Sequence, residues 1–195
     1  MSDPSIDARA TKSGRVPIAT YRLQFNHRFT FRQAEEIVPY LHALGVSDIY
    51  ASPFLQARPG SLHGYDISDH GTLNPEIGTE AEHQRLSAAI RKHGMGHLLD
   101  IVPNHMGVGG TGNRWWLDVL ENGQSSPYAA FFDIDWHSLR AELAGKVLLP
   151  ILASQFGEVL ERGELRLHHH DGRFEIHYFD HHLPAAPRST AAILR

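Results

Sequence analysis

Cysteine is absent from the 195 residues. Without a thiol, the chain forms neither a disulfide framework nor a thiolate-bound metal site, a composition that fits a reducing compartment. Long apolar runs are missing too, since no stretch approaches the roughly 20 apolar residues that a bilayer-spanning helix needs. The opening residues Met1-Ser2-Asp3-Pro4-Ser5-Ile6-Asp7-Ala8 are polar and lack the apolar centre of a signal peptide. The expectation is a cytoplasmic protein with no membrane partner. Basic clusters are lacking as well: 18 Lys and Arg face 22 Asp and Glu, for a formal charge of −4, and no segment concentrates the cations. That removes the electrostatic footprint of a nucleic-acid binder and leaves neutral or small partners.

What is present is an ordinary globular composition, 42% hydrophobic with 17 Gly and 11 Pro, long enough for one sizeable core. Its most informative stretch is Gly96-His97-Leu98-Leu99-Asp100-Ile101-Val102-Pro103-Asn104-His105. Leu98, Leu99, Ile101 and Val102 read as a buried parallel strand covered on both faces, and Pro103 ends the ladder. Asp100, Asn104 and His105 then stand at the carboxyl end, where ligands bind in barrels and open α/β sheets. A second polar stretch, His63-Gly64-Tyr65-Asp66-Ile67-Ser68-Asp69-His70, follows the candidate strand of residues 47–52.

Taken in order, residues 1–15 form a loose leader, and residues 16–25 read as the first strand, with Tyr21, Arg22 and Gln24 near its carboxyl end. Thr30 and Gln33 make a capping box for a helix whose inward face is Ile37, Val38, Leu41 and Leu44, stopped by Gly45. Pro39 should kink or break that helix. After the second strand a long connection, residues 53–78, precedes another capping box, Thr79 with Glu82. The helix that follows turns Leu86, Ala89 and Ile90 inward and closes at Gly94. Strand, helix, strand, helix, strand is the order of a parallel sheet covered by helices. From about residue 106 the rhythm stops. Residues 115–120 read as a short helix, residues 146–152 as an apolar run of undecided type, and residues 164–178 as a β-hairpin turning on Asp171-Gly172.

Gly64-Tyr65-Asp66 after the second strand, with Asp100-Ile101-Val102-Pro103-Asn104-His105 at the third, resembles the α-amylase superfamily of (β/α)8 enzymes, glycoside hydrolase family 13 in type. Trp115-Trp116-Leu117-Asp118-Val119-Leu120-Glu121-Asn122-Gly123 and Phe132-Asp133-Ile134-Asp135-Trp136 resemble one branch of it, the maltooligosyltrehalose synthases, over about residues 18–187. The resemblance implies an α/β fold: the first part of a (β/α)8 TIM barrel in residues 16–106, with an α+β insertion after the third strand in residues 107–195. A complete barrel takes about 250 residues, so the expectation is the front portion of a larger enzyme. The implied substrate is a maltooligosaccharide, the implied reaction an intramolecular transglucosylation that makes an α,α-1,1 bond, and the implied partner a trehalohydrolase that consumes the product.

The resemblance also implies roles, most of them with a plainer reading beside them. Tyr65 is either a platform for a pyranose face or a half-buried aromatic, and Asp66 orients its loop or meets sugar hydroxyls. Asp100 belongs to the site network or anchors a loop, Asn104 pins its loop or meets a ligand, and His105 contacts the sugar at the subsite before the scissile bond. Arg22, Gln24, Asp69 and His70 are weaker candidates, and Trp115-Trp116 is either core or a wall around the reducing-end glucose. The 15 histidines give no metal site: neighbours in His168-His169-His170 face opposite ways on a strand, and His181-His182 has no spaced partner. No cofactor is expected. Retaining chemistry needs two carboxyl groups about 5–5.5 Å apart, and in the superfamily the nucleophilic Asp follows an Arg two residues earlier. No Arg-x-Asp occurs between residues 106 and 195, so no residue here is taken as nucleophile or general acid. The open alternatives are another α-amylase-type hydrolase and a non-catalytic maltodextrin-binding chain.

Overall fold

The computed structural model describes residues 15–110 and 112–195. The expected leader, apart from Arg15, lies outside the described residues. The chain divides into two compact units, the first running to Gln56 and taking Gly60–Tyr65 and His70–Asn104, the second taking Ala57–Pro59, Asp66–Asp69 and His105–Arg195.

In chain order, β1 is Thr20–Leu23, α1 Phe31–Ala43, β2 Asp48–Ala51, β3 Leu55–Ala57, β4 Ile67–Leu73, α2 Glu80–Lys92 and β5 Gly96–Leu99. β1, β2 and β5 form a parallel sheet with β2 in the middle, Leu23 aligned with Ala51 and Ala51 with Leu99. β3 and β4 pair as a two-stranded sheet inside the long connection, where the sequence predicts a loop. The helices start where the capping boxes place them. Thr30 accepts from Gln33 N and Thr79 from Glu82 N, and in each case the longer side chain returns a bond to the cap amide.

Alternation sorts the sheet's two faces. Leu23, Phe25, Ile49 and Ala51 turn to one side and pack with Phe31, Ala34, Val38 and Leu41 of α1 and Leu86 and Ile90 of α2. Phe31 has no exposed surface, and truncating such a ring to Ala costs about 3–5 kcal/mol. Arg22, Tyr50 and Asp100 alternate with that set. At the opposite end, Asp48 is buried and ion-paired with Arg15 Nε at 3.1 Å, while the same guanidinium donates to the Ser47 and Gly94 carbonyls.

Four expectations need correction. The first strand is shorter than expected, and Val16 and Ile18 before it are exposed. β5 is not covered on both faces: it ends at Leu99, and Leu98, Leu99 and Ile101 are 38%, 51% and 70% exposed, with Val102 alone buried. The cause is that β5 pairs only with β2 among the described residues. α1 runs through Pro39 unbroken; Pro39 is exposed, so the helical carbonyl it leaves without a donor can take water. Leu44 is not inward but caps the helix, 59% exposed.

The second unit contains α3 Arg114–Asn122, α4 Phe156–Glu161, β6 Arg166–His170, β7 Arg173–Tyr178, β8 His181–Pro184 and α5 Thr190–Ile193. Asn113 caps α3, accepting from Trp116 N at 3.0 Å and donating to the Gly107 carbonyl at 3.0 Å. β6, β7 and β8 form an antiparallel sheet. The β6–β7 turn has Asp171 at φ 51° and Gly172 at φ 77°, the two positive values of a type I′ turn that Asp-Gly supplies with least strain. Residues 146–152 form neither helix nor strand.

Candidate functional site

Asp100 follows β5 directly, its amide donating to the Ala51 carbonyl at 2.9 Å, so the sheet's register fixes its carboxylate beside the ends of β1 and β2. Its Oδ2 accepts two phenols, from Tyr50 at 2.9 Å and from Tyr65 at 2.5 Å. The Asp100 carboxylate stabilises the protonated phenol of Tyr50 and so raises its pKa, helped by burial and opposed weakly by Arg22. Arg22 stands with its guanidinium carbon 5.7 Å from the centre of the Tyr50 ring and its Nη2 3.3 Å from the Tyr65 hydroxyl.

Behind this pair of tyrosines lies a loop clamp. Arg22 Nη1 donates to Gln24 Oε1 at 2.6 Å, and Gln24 Nε2 donates to the carbonyls of Leu62 and His63. Asn26 adds a third bond to the same loop, to Leu62 at 3.0 Å. Gly64 is required where it stands: its φ is +76°, and a Cβ there would strike the Pro53 carbonyl oxygen. The Tyr65 amide meets His63 Nδ1 at 3.0 Å, and the two rings lie 22° apart in tilt with centres 6.1 Å apart. The result is a carboxylate fixed by two phenols, one of them on Tyr65, a residue that is 36% exposed. A ring so held can stack on the C–H face of a sugar. A carboxylate oxygen that already accepts two hydrogen bonds is suited to hold rather than to attack.

Of the residues expected from sequence, Arg22, Gln24, Tyr65 and Asp100 come together in the first unit, where exposed Asn104 also lies. His70, in the same unit, places Nε2 2.9 Å from the Val102 carbonyl and so ties down the chain after β5. Asp66, Asp69, His105, Trp115 and Trp116 fall in the second unit. Asp66 accepts through its carbonyl from Arg58 N at 3.1 Å, and His105 is exposed. Trp116 is 8% exposed and packs on Phe132, whereas Trp115 stacks on Tyr128 at 5.2 Å with Phe131 beside it. Tyr50 was missed because it sits inside a strand; its signal was the polar parity it shares with Arg22 and Asp100.

The histidines also need correction. His182 does have spaced partners: Glu175, His177 and His182 present ligand atoms within 4.8 Å of one another across β7 and β8. Strand pairing supplied what linear spacing did not show.

Comparison with known proteins shows the family and the type of fold. Residues 34–186 match the family model described as alpha amylase, catalytic domain. The chain is 48% identical over 165 residues to a putative maltooligosyl trehalose synthase of Mycobacterium tuberculosis, covering 77% of this chain and 21% of that protein. A crystal structure of maltooligosyl trehalose synthase superposes with a TM-score of 0.80 at 39% identity, over 87% of this chain and 22% of the other. The synthase of Arthrobacter ramosus superposes with a TM-score of 0.76 at 44% identity, over 88% and 21%. The chain thus spans about a fifth of the length of the relatives it matches, and its fold is of the TIM-barrel type. By the match over most of its length, the chain belongs to the α-amylase catalytic-domain family.

Proposed function

We propose that these residues are the substrate-contacting front of a maltooligosyltrehalose synthase, which converts the reducing-end α-1,4 bond of a maltodextrin to an α,α-1,1 linkage. The observation that carries the reading is the Tyr65–Asp100 contact at 2.5 Å, set at the end of the third parallel strand of a chain so similar to named synthases. In this reading β1, β2 and β5 are the first three strands of the barrel, and residues 107–195 are the insertion after the third. Tyr65 stacks on a glucose ring, Asp100 keeps that tyrosine in place, His105 and Asn104 meet the sugar, and Asp66 orients the loop. Arg22 and Gln24 act through the loop rather than on the sugar. Trp115 contributes to the wall around the released glucose, and buried Trp116 supports it.

The nucleophile and general acid lie outside these 195 residues, since no Arg-x-Asp follows residue 106. Joining the released glucose to the glucan requires that water be kept from the intermediate. The product, having no reducing end, fits a trehalohydrolase as the next enzyme. A cytoplasmic location belongs to the same reading, and no helix among the described residues is long and apolar enough to cross a membrane.

Mass spectrometry of maltopentaose incubated with the complete enzyme tests the proposal. Isomerisation leaves the mass unchanged while the sugar loses its reducing character. Products heavier in sum by one water would instead assign the family's hydrolytic reaction. The 195-residue chain alone should turn over no maltooligosaccharide; turnover by pure material would place catalytic carboxylates inside it.

A further inference from the structure

The sheet of β6, β7 and β8 carries a column of imidazoles. His168 and His177 stack with ring centres 3.9 Å apart, and His177 and His182 with centres 3.8 Å apart and planes within 4°. Register explains the column: His177 pairs with His182 on β8, and Glu175, two residues before His177, pairs with His168 on β6. All four therefore share one face. The Glu175 carboxylate lies 2.9 Å from His177 Nε2, and both groups are partly shielded, at 38% and 23% exposure.

The geometry points to a binding site for a zinc-class divalent cation formed by Glu175, His177 and His182. Two imidazoles and one carboxylate are donors that zinc accepts, with a fourth position left for water or for His168. A set with two nitrogens does not suit calcium or magnesium, which take oxygen ligands. Zinc bonds of about 2.0–2.2 Å place tetrahedral donors roughly 3.3 Å apart. The three ligand atoms already lie within 4.8 Å of one another, so rotation of the side chains on a fixed sheet can close the set.

The cations on the same face are accounted for. Arg166, opposite His177 in register, reaches the Gly163 carbonyl at 3.5 Å, and Arg173 lies 3.8 Å from Glu121. The carboxylate in the cluster argues against an anion there. Bound to residues of both strands, the ion would fasten β8 to β7, whose connection is only Phe179 and Asp180.

The test is calorimetric titration of the untagged full chain with Zn²⁺ alone near neutral pH, paired with urea unfolding with and without the ion. One Zn²⁺ per chain and a higher urea midpoint are expected. His177→Ala, His182→Ala and Glu175→Gln should each weaken binding by about tenfold or more, while His169→Ala, on the opposite face, should bind like the parent. Absence of saturable binding by the parent chain overturns the proposal, and so does equal affinity in the parent and in folded His177→Ala or His182→Ala. If those two variants fail to fold, Glu175→Gln against His169→Ala decides on the same criterion.

Discussion

The hydroxyl of Tyr65 and the carboxylate of Asp100 meet at 2.5 Å although they are 35 residues apart in sequence. One comes from a loop whose shape Gly64 permits, the other from the first position beyond a parallel strand. The contact is where the loop after the second strand and the end of the third become one site.

Tyr65 carries two functions that substitution separates. Tyr65→Phe keeps the ring and removes the bond to Asp100, while Tyr65→Ala removes both. If stacking on the sugar is the principal function, Tyr65→Phe binds maltopentaose nearly as the parent does, and Tyr65→Ala binds about tenfold more weakly, roughly 1.4 kcal/mol. Calorimetric titration of the complete enzyme measures this. Equal loss in both variants would make the hydroxyl's hold on Asp100 the main contribution.

Asp100→Asn should lower the pKa of Tyr50, because the carboxylate that favours its protonated form is gone. Ultraviolet difference titration of the phenols, compared between the parent and the variant, should show Tyr50 ionising earlier as pH rises. A superimposable pair of curves would contradict the assignment of Asp100 as the cause.

Gly64→Ala should disturb the site without unfolding the sheet. Its Cβ meets the Pro53 carbonyl and its backbone stays in the left-handed region. Together these cost about 2 kcal/mol or more unless the loop moves. Weaker maltopentaose binding with an almost unchanged urea midpoint indicates that the loop moved. A lower midpoint with binding intact indicates that the loop held and bore the strain.

His97 gives the fold a pH dependence of definite sign. Its Nε2 is buried with no hydrogen-bond partner among the described residues, and burial first, then His83, hold its pKa below the usual histidine value. Below that usual value the unfolded chain takes up a proton that the folded chain resists, so stability falls as pH drops and recovers toward neutrality. His97→Phe should flatten the fall in urea midpoint between neutral and mildly acidic pH. A parent and variant with parallel curves would remove His97 as its source.

Local chemistry was readable from the sequence, and pairing between distant strands was not. Both capping boxes and the Asp171-Gly172 turn are signals of a few adjacent residues, and each forms as its spacing requires. β3 and β4 are hard to see in the sequence because β3 is only three residues long and Asp69 and Gly71 break the apolar parity that Ile67 begins, and the apolar run of β5 does not reveal how many neighbours it has. Tyr50 at the site and Glu175 beside His177 and His182 share that difficulty: register brings them together, and register is a property of the sheet.

The most direct measurement of the functional account is the count of reducing ends while the complete enzyme acts on maltopentaose. A steady fall in reducing ends with no release of glucose is the outcome expected of a glucan whose last unit is turned and rejoined by an α,α-1,1 bond. A rise in reducing ends would make the enzyme a hydrolase and contradict the account.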